Sequence, residues 1–132
     1  MEDWRIKISV LWLFASIAFL AHQIIVLMEP GVIAQLMEGM AEGQKINPGM
    51  ILFFAIIMLV PMVMSFLSLN LKNSLNCWLN IIVGAVFAVL WFTSVIEAAQ
   101  SAYWGGGALM TLSAAVASAL IVWYAWKHRL TS

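Results

Sequence analysis

Cysteine, charge and catalytic motifs are all scarce in this 132-residue sequence, and each scarcity excludes a class of protein. Cys77 is the single cysteine, so the chain has no internal disulfide and no metal site built from several cysteines. We interpret Cys77 as a small buried apolar residue. The formal net charge is zero, which leaves no basic patch of the kind that follows nucleic-acid phosphates. We therefore expect no nucleic-acid partner.

The motifs of enzymes and cofactor-binding proteins are missing too. We find no paired nucleophile and base, no glycine-rich phosphate loop and no zinc-binding spacing. His22 and His128 are the only histidines, and the topology given below places them on opposite sides of the membrane, too far apart to share a haem or a metal. We predict no catalytic residue, no cofactor and no metal. An enzyme is the least favoured of three functional hypotheses.

Apolar residues, in contrast, make up 64% of the chain, with 9% charged residues and a mean hydropathy of +1.01. Such a chain has too little polar surface to coat a soluble globule. A bilayer core is crossed by roughly 20 apolar residues in a helix. The sequence predicts four such spans, at about residues 8–28, 50–69, 77–96 and 108–126, in one domain over residues 1–132. The predicted fold is all-α, an integral membrane four-helix up-down bundle.

Basic residues predict which way this bundle faces. Four spans place five of the six Lys and Arg residues on one side: Arg5, Lys7, Lys72, Lys127 and Arg129. Lys45 falls on the other side. The positive-inside rule therefore predicts a multi-pass membrane protein with both termini in the cytoplasm. Aromatic residues that favour the headgroup level agree, with Trp4, Trp78 and Trp126 at the inner interface and Tyr103 and Trp104 at the outer one.

The longest connection, residues 29–47, begins and ends with turn-forming triplets, Glu-Pro-Gly and Asn-Pro-Gly. Between them, apolar residues at helical spacing predict a short interfacial helix on the outer surface: Val32, Ile33, Leu36, Met37 and Met40. We favour a packed connector over a mobile lid above a pocket. A kink is expected at Pro61, and residues 105–107, all glycine, are expected to form a short outer turn.

The candidate site consists of polar residues in the outer halves of the first and third spans. His22 lies roughly 9 Å below the outer end of its span, at about 1.5 Å per residue, and neutral histidine there needs a hydrogen-bond partner. Glu97 closes the third span, at the end of a polar stripe on one helical face. We predict an outward-opening pocket between these spans, lined by His22, Gln23, Ser94, Glu97 and Gln100. The alternative is a hydrogen-bonded structural histidine and a glutamate that reaches the outer interface.

Two further patterns predict packing. Small residues at 113–119 in the fourth span, and Gly84 with Ala88 in the third, let helix backbones approach closely in lipid. Three asparagines line one face at the inner end of the third span: Asn73, Asn76 and Asn80. We interpret them as capping residues that form hydrogen bonds across the inner loop, with a cytoplasmic partner site as the alternative.

Several short stretches together resemble a family of uncharacterised four-helix prokaryotic integral membrane proteins that is loosely DoxX-like. They are residues 27–31, the region of Pro61, residues 76–84 and residues 121–127. The resemblance implies the four-helix fold and lends no established activity. In the members that this chain resembles, helix 1 carries an acidic residue and a glutamate lies just before the proline of helix 2. This chain has His22-Gln23 and Leu59-Val60 at those places, so any role of the acids is lost or replaced here.

The first functional hypothesis is a protein that binds or transports a small amphipathic or lipid-like ligand through the outward-opening pocket. The alternative is a non-catalytic accessory or oligomer-forming subunit of a larger membrane complex. An internal cavity that reaches His22 and Glu97 favours the first hypothesis. A filled interior favours the second.

Overall fold

The computed structural model describes residues 3–41, 43–100 and 104–131. Its helices are α1 Asp3–Leu27, α2 Val32–Met37, α3 Pro48–Asn70, α4 Asn73–Ala99 and α5 Trp104–Thr131, and a small hairpin, β1 Met40–Ala41 and β2 Gln44–Lys45, lies between α2 and α3. The prediction of an all-α membrane protein is confirmed, because α1, α3, α4 and α5 are long and apolar enough to cross a membrane. These four helices coincide with the predicted spans and begin a few residues earlier.

The connector between α1 and α3 contains the predicted helix, but the helix is shorter than the apolar spacing indicated. α2 follows Gly31, whose φ of 85° lies in the left-handed region that favours glycine, and it ends at Met37. Met40, which the spacing assigned to the helix, instead lies in β1, which pairs antiparallel with β2. Gly39, with a φ of 76°, interrupts the helical run between them. The position of α2 on the outer membrane surface stays a prediction.

The glycines at 105–107 are helical, so the prediction of a turn there is wrong. α5 begins at Trp104 and includes all three glycines. A Cβ atom at Gly106 would lie 3.0 Å from Cγ2 of Ile25, and one at Gly107 would lie 3.4 Å from Cε1 of His22. At Gly106 a side chain would crowd Ile25, so glycine there lets α1 pack closely against the start of α5. Tyr103, a predicted outer anchor, lies outside the described residues.

The four long helices pack in the order α3, α1, α5, α4. α1 packs against both α3 and α5, and α5 also packs against α4. α3 and α4 make few contacts although only residues 71–72 separate them, and among the described residues no Cα atom of α1 lies within 8 Å of one in α4. α1 and α4 therefore face each other across the bundle, and their side chains meet in its interior.

Contacts at the two ends relate the directions of the helices. At one end, Arg5 of α1 donates a hydrogen bond to the carbonyl oxygen of Leu71, which follows α3, and Trp4 stacks on His128 of α5 at 4.1 Å. At the other end, Ile25 of α1 lies against Gly106 of α5. These contacts support the up-down order, which stays a prediction. α3 continues helical through Pro61, and the kink there also stays a prediction.

Aromatic rings fill the interior between α1 and α4. Trp12 and Phe87 meet edge to face with their centroids 6.0 Å apart, and the centroids of Phe19 and Trp91 are 6.2 Å apart. All four side chains are buried, in the tilted and edge-on arrangements that aromatic pairs prefer. The centre of the bundle is thus occupied by the chain's own side chains.

Small residues bring α4 and α5 together, as the sequence predicted. A Cβ atom at the buried Gly84 would lie 2.9 Å from Cγ2 of Val122 and 3.6 Å from the carbonyl oxygen of Ser118. Ala114 and Ala115 on the facing helix are completely buried. Close backbone approach of this kind is how helices gain packing energy in lipid.

Candidate functional site

The five residues of the predicted outer pocket lie on α1, on α4 and in the turn that follows α4. His22 and Gln23 are half-buried, and the His22 ring lies against Gly107 with its centroid 6.3 Å from that of Phe19. The Ser94 hydroxyl donates a hydrogen bond of 3.0 Å to the carbonyl oxygen of Leu90 within α4.

Glu97 and Gln100 are exposed, and the backbone N–H of Gln100 donates to the carbonyl oxygen of Glu97 at 3.2 Å. The described contacts thus place His22 beside α5 and Ser94 on its own helix. The pocket that joins them stays a prediction.

Two shallow grooves mark the surface of the long helices, and neither includes a residue of the predicted pocket. One, of about 360 Å³, lies between α1 and α5 and is lined by Leu11, Phe14, Ser113, Val116, Ala117 and Leu120. The other lies along α4 at Ala85, Val86, Val89 and Leu90. Within the described ranges, no three His, Cys, Asp or Glu side chains lie close enough to share a metal ion.

A buried polar network joins α1, α3 and α4 in the half of the bundle that carries both termini. Its members are buried side chains on three helices: Ser9, Trp12, Ser65, Ser68, Asn76 and Asn80. A polar group inside a membrane costs free energy unless it is hydrogen-bonded, so the partners of these side chains decide whether they stabilise the bundle.

Asn80 is the centre of this buried polar network. Its Oδ1 accepts a hydrogen bond of 2.7 Å from Nε1 of Trp12 on α1 and lies 3.2 Å from the hydroxyl of Ser68 on α3, whose single proton also faces the carbonyl oxygen of Met64 at the shorter distance of 2.7 Å. Its Nδ2 donates to the backbone carbonyl oxygen of Asn76 at 2.9 Å. One side chain of α4 therefore contacts both of the other helices.

The network continues toward the link between α3 and α4. Nδ2 of Asn76 donates to the carbonyl oxygen of Ser68 at 2.7 Å, and the hydroxyl groups of Ser9 and Ser65 lie 3.0 Å apart. Beyond them, Arg5 donates to Oδ1 of Asn73 and, at 2.6 Å, to the carbonyl oxygen of Leu71. The bond from Asn76 to Ser68 crosses the inner loop as predicted, whereas Asn73 and Asn80 bond to α1, and the capping role of these asparagines stays a prediction.

The comparison with protein families shows which family the chain belongs to. A family described as "Family of unknown function (DUF6326)" matches residues 2–129. The chain belongs to this family. The match covers α1 through most of α5 and confirms the prediction of an uncharacterised family, whereas the DoxX-like resemblance and the prokaryotic origin stay predictions. The comparisons with curated proteins and with solved structures give no match.

In this DUF6326 protein the buried polar network is suited to hold helices rather than to carry protons. Its side chains are amides, hydroxyls and an indole, none of which ionises near neutral pH. Lipid gives helices no hydrophobic drive to associate, so hydrogen bonds between helices help to decide which faces meet. Sequence spacing found the asparagines, but Trp12 and Ser68 carry no local pattern that marks them as their partners.

Proposed function

We propose that this DUF6326 protein is a non-catalytic, self-associating membrane subunit, and that the first half of α3 packs against a second copy. Residues 51–56 of α3 carry this proposal, because all six are exposed. Six residues complete more than one full turn of an α-helix, so every side of this segment carries an exposed side chain. We call residues 51–56 the uncovered α3 segment.

The filled interior supports this proposal over a ligand pocket. The rings of Trp12, Phe19, Phe87 and Trp91 take up the space between α1 and α4 that a bound ligand would need. The two grooves described above are lined mainly by apolar side chains and include neither His22 nor Glu97. A filled interior favours an oligomer-forming or accessory subunit over a ligand-binding protein.

The exposed aromatic side chains of the uncovered α3 segment can pack against the same segment of a second copy. Phe53 and Phe54 are both exposed, with ring centroids 6.1 Å apart. In a two-fold symmetric dimer the same surface of both subunits meets, so each of these rings packs against its counterparts. Aromatic pairs contribute about 0.5–1.5 kcal/mol beyond the area they bury, and van der Waals packing of this kind drives association in lipid.

Cysteine cross-linking in native membranes tests this proposal. In a Cys77→Ser background, Phe53→Cys is compared with the matched control Leu109→Cys. Both residues lie five positions after the first residue of their helix, and they are 57% and 60% exposed. Oxidation is expected to give a disulfide-linked dimer from the Phe53 variant and monomer from the Leu109 variant.

Three outcomes reject self-association at this surface. Monomer from both variants shows that the segment does not meet its copy, and equal dimer from both shows only random collision. A cross-link from position 53 to a different protein assigns the surface to another subunit.

We also propose that the protein lies in a prokaryotic cytoplasmic membrane with both termini in the cytoplasm. The end contacts of α1, α4 and α5 support this orientation, since Arg129 lies over Trp78 and Trp4 stacks on His128. Five of the six Lys and Arg residues thus belong to one end of the bundle, which the positive-inside rule assigns to the cytoplasm.

The outward-opening pocket is a second candidate function, supported by the position of His22. An ionisable side chain within a span is costly, and His22 is half-buried against Gly107. On this alternative, the protein binds or transports an amphipathic or lipid-like ligand. A fluorescent fatty-acid analogue is expected to bind the wild type and to bind His22→Ala and Glu97→Gln more weakly. Equal binding by all three proteins rejects it.

A further inference from the structure

Cations and aromatic rings are paired at the end of the bundle that carries both termini. The cationic residues there are Arg5, Lys7, Lys72, Lys127 and Arg129, which we call the basic end. Four of them lie over aromatic rings. Arg5 is 5.2 Å from the ring centroid of Trp4, Lys7 is 5.6 Å from that of Tyr124 and Lys127 is 5.1 Å from that of Trp123, and Arg129 is the fourth. In the sequence only Glu2 and Asp3 supply acidic groups around these residues, so cations outnumber acids.

Arg129 has two such rings. Its Cζ lies 4.4 Å from the ring centroid of Trp78 on α4 and 5.0 Å from that of Trp126 on α5. Both distances are within the range of about 6 Å over which a guanidinium is attracted to an aromatic face. A guanidinium has five N–H donors in its plane, in the fork geometry that matches phosphate oxygens, so attraction to a ring face does not use them up.

The two tryptophans place this guanidinium at a defined depth. Trp78 and Trp126 are 43% and 44% exposed, and both lie near helix ends, where amphipathic indole rings favour the headgroup level of a bilayer. Arg129 is therefore at the level of lipid phosphates. Lys72 and Lys127, both exposed, add positive charge at the same end.

We propose that Arg129, held between Trp78 and Trp126, binds the phosphate of an anionic phospholipid headgroup. The excess positive charge of the basic end favours an anionic lipid at this site. A zwitterionic headgroup carries a cation beside its phosphate, which the other basic residues repel, whereas phosphatidylglycerol carries none. This site is independent of the uncovered α3 segment, so either proposal can fail without the other.

Native mass spectrometry of the full chain in detergent, with phosphatidylglycerol or phosphatidylcholine added, tests the proposal. Arg129→Gln is compared with Lys45→Gln, which removes the same charge from the opposite end. A basic residue near an anionic surface contributes about 1 kcal/mol, so Arg129→Gln is expected to weaken phosphatidylglycerol binding about five-fold. Lys45→Gln is expected to bind it as the wild type does, and phosphatidylcholine binding is expected to be equal in all three proteins.

Two further measurements keep the result decisive. Arg129→Lys keeps the charge but not the planar fork, so intermediate binding is expected, and a melting temperature in lipid-free detergent shows whether each variant is folded. Equal losses in Arg129→Gln and Lys45→Gln overturn the proposal, as does an Arg129→Gln loss that is the same for both lipids. Displacement of phosphatidylglycerol by excess inorganic phosphate also overturns it, because the site would then recognise a free anion rather than a lipid.

Discussion

Replacing Asn80 by alanine tests whether the buried polar network holds three helices together. The change removes the acceptor of Trp12 Nε1 at 2.7 Å and of the Ser68 hydroxyl at 3.2 Å. A hydrogen bond between helices in a membrane contributes about 0.6 kcal/mol on average and up to about 1.7 kcal/mol, so the short bond from Trp12 contributes roughly 1 kcal/mol. The Ser68 hydroxyl keeps its bond of 2.7 Å to the carbonyl oxygen of Met64. The buried indole N–H of Trp12 then lacks its acceptor, which adds about 1 kcal/mol or more. We expect a loss of about 2 kcal/mol in the free energy of unfolding.

A double-mutant cycle isolates the bond between Trp12 and Asn80 from the effect of the smaller side chain. Trp12→Phe removes the N–H group but keeps an aromatic ring, and the cycle consists of the wild type, Asn80→Ala, Trp12→Phe and the double variant. Unfolding is followed by helical circular dichroism in mixed micelles as the fraction of denaturing detergent rises. The expected coupling energy is about 1 kcal/mol.

The control for this cycle is Asn70→Ala, at an asparagine near the end of α3 that lies outside the buried polar network. Asn70 is exposed, and its Nδ2 donates only within α3, to the carbonyl oxygen of Phe66 at 2.8 Å. Its loss is expected to change stability by less than about 0.5 kcal/mol. A coupling energy below about 0.3 kcal/mol refutes the role we assign to the Trp12–Asn80 bond, because such sites count as independent.

The contact of α4 with α5 and the orientation of the chain give two further predictions. Gly84→Val is expected to lower the free energy of unfolding by about 1–3 kcal/mol in the same assay, because even a Cβ atom there crowds α5. The control Ala85→Val, at an exposed position, is expected to change this free energy by less than about 0.5 kcal/mol. Equal effects of the two variants contradict the close packing. In a Cys77→Ser background, an impermeant thiol reagent is expected to label Lys45→Cys from outside intact cells and Lys72→Cys only after lysis. Labelling of both from outside contradicts the proposed orientation.

The long helices were predictable from the sequence because a bilayer imposes a minimum length of apolar residues on each span. The positions at which short elements end were not predictable in this way. Met40 fits the apolar spacing of α2, but the left-handed backbone at Gly39 ends the helix before it. The prediction of a turn at residues 105–107 rests on the conformational freedom of glycine, whereas the structure uses the missing side chain at Gly106, which lets Ile25 approach α5.

The candidate sites were likewise predictable in part, where a pattern within one helix reveals them. A helical spacing places residues on one face, which is why Asn73, Asn76 and Asn80 were found together. Spacing does not show which neighbouring helix covers a face, because that depends on contacts between residues far apart in the chain. Trp12 lies 68 residues from its partner Asn80, and His22 lies against Gly107 of α5.

α3 has two halves with opposite surroundings, and the difference explains how an uncovered helix segment can still be a defined surface. Lipid is as apolar as residues 51–56, so their exposure does not destabilise a single chain and does not orient the helix. Orientation comes from the other half, where Ser65 pairs with Ser9 and Ser68 bonds to α4. A helix fixed in this way at one end presents the same face at its other end in every copy. The buried polar network is therefore what makes reproducible contact through the uncovered α3 segment physically reasonable.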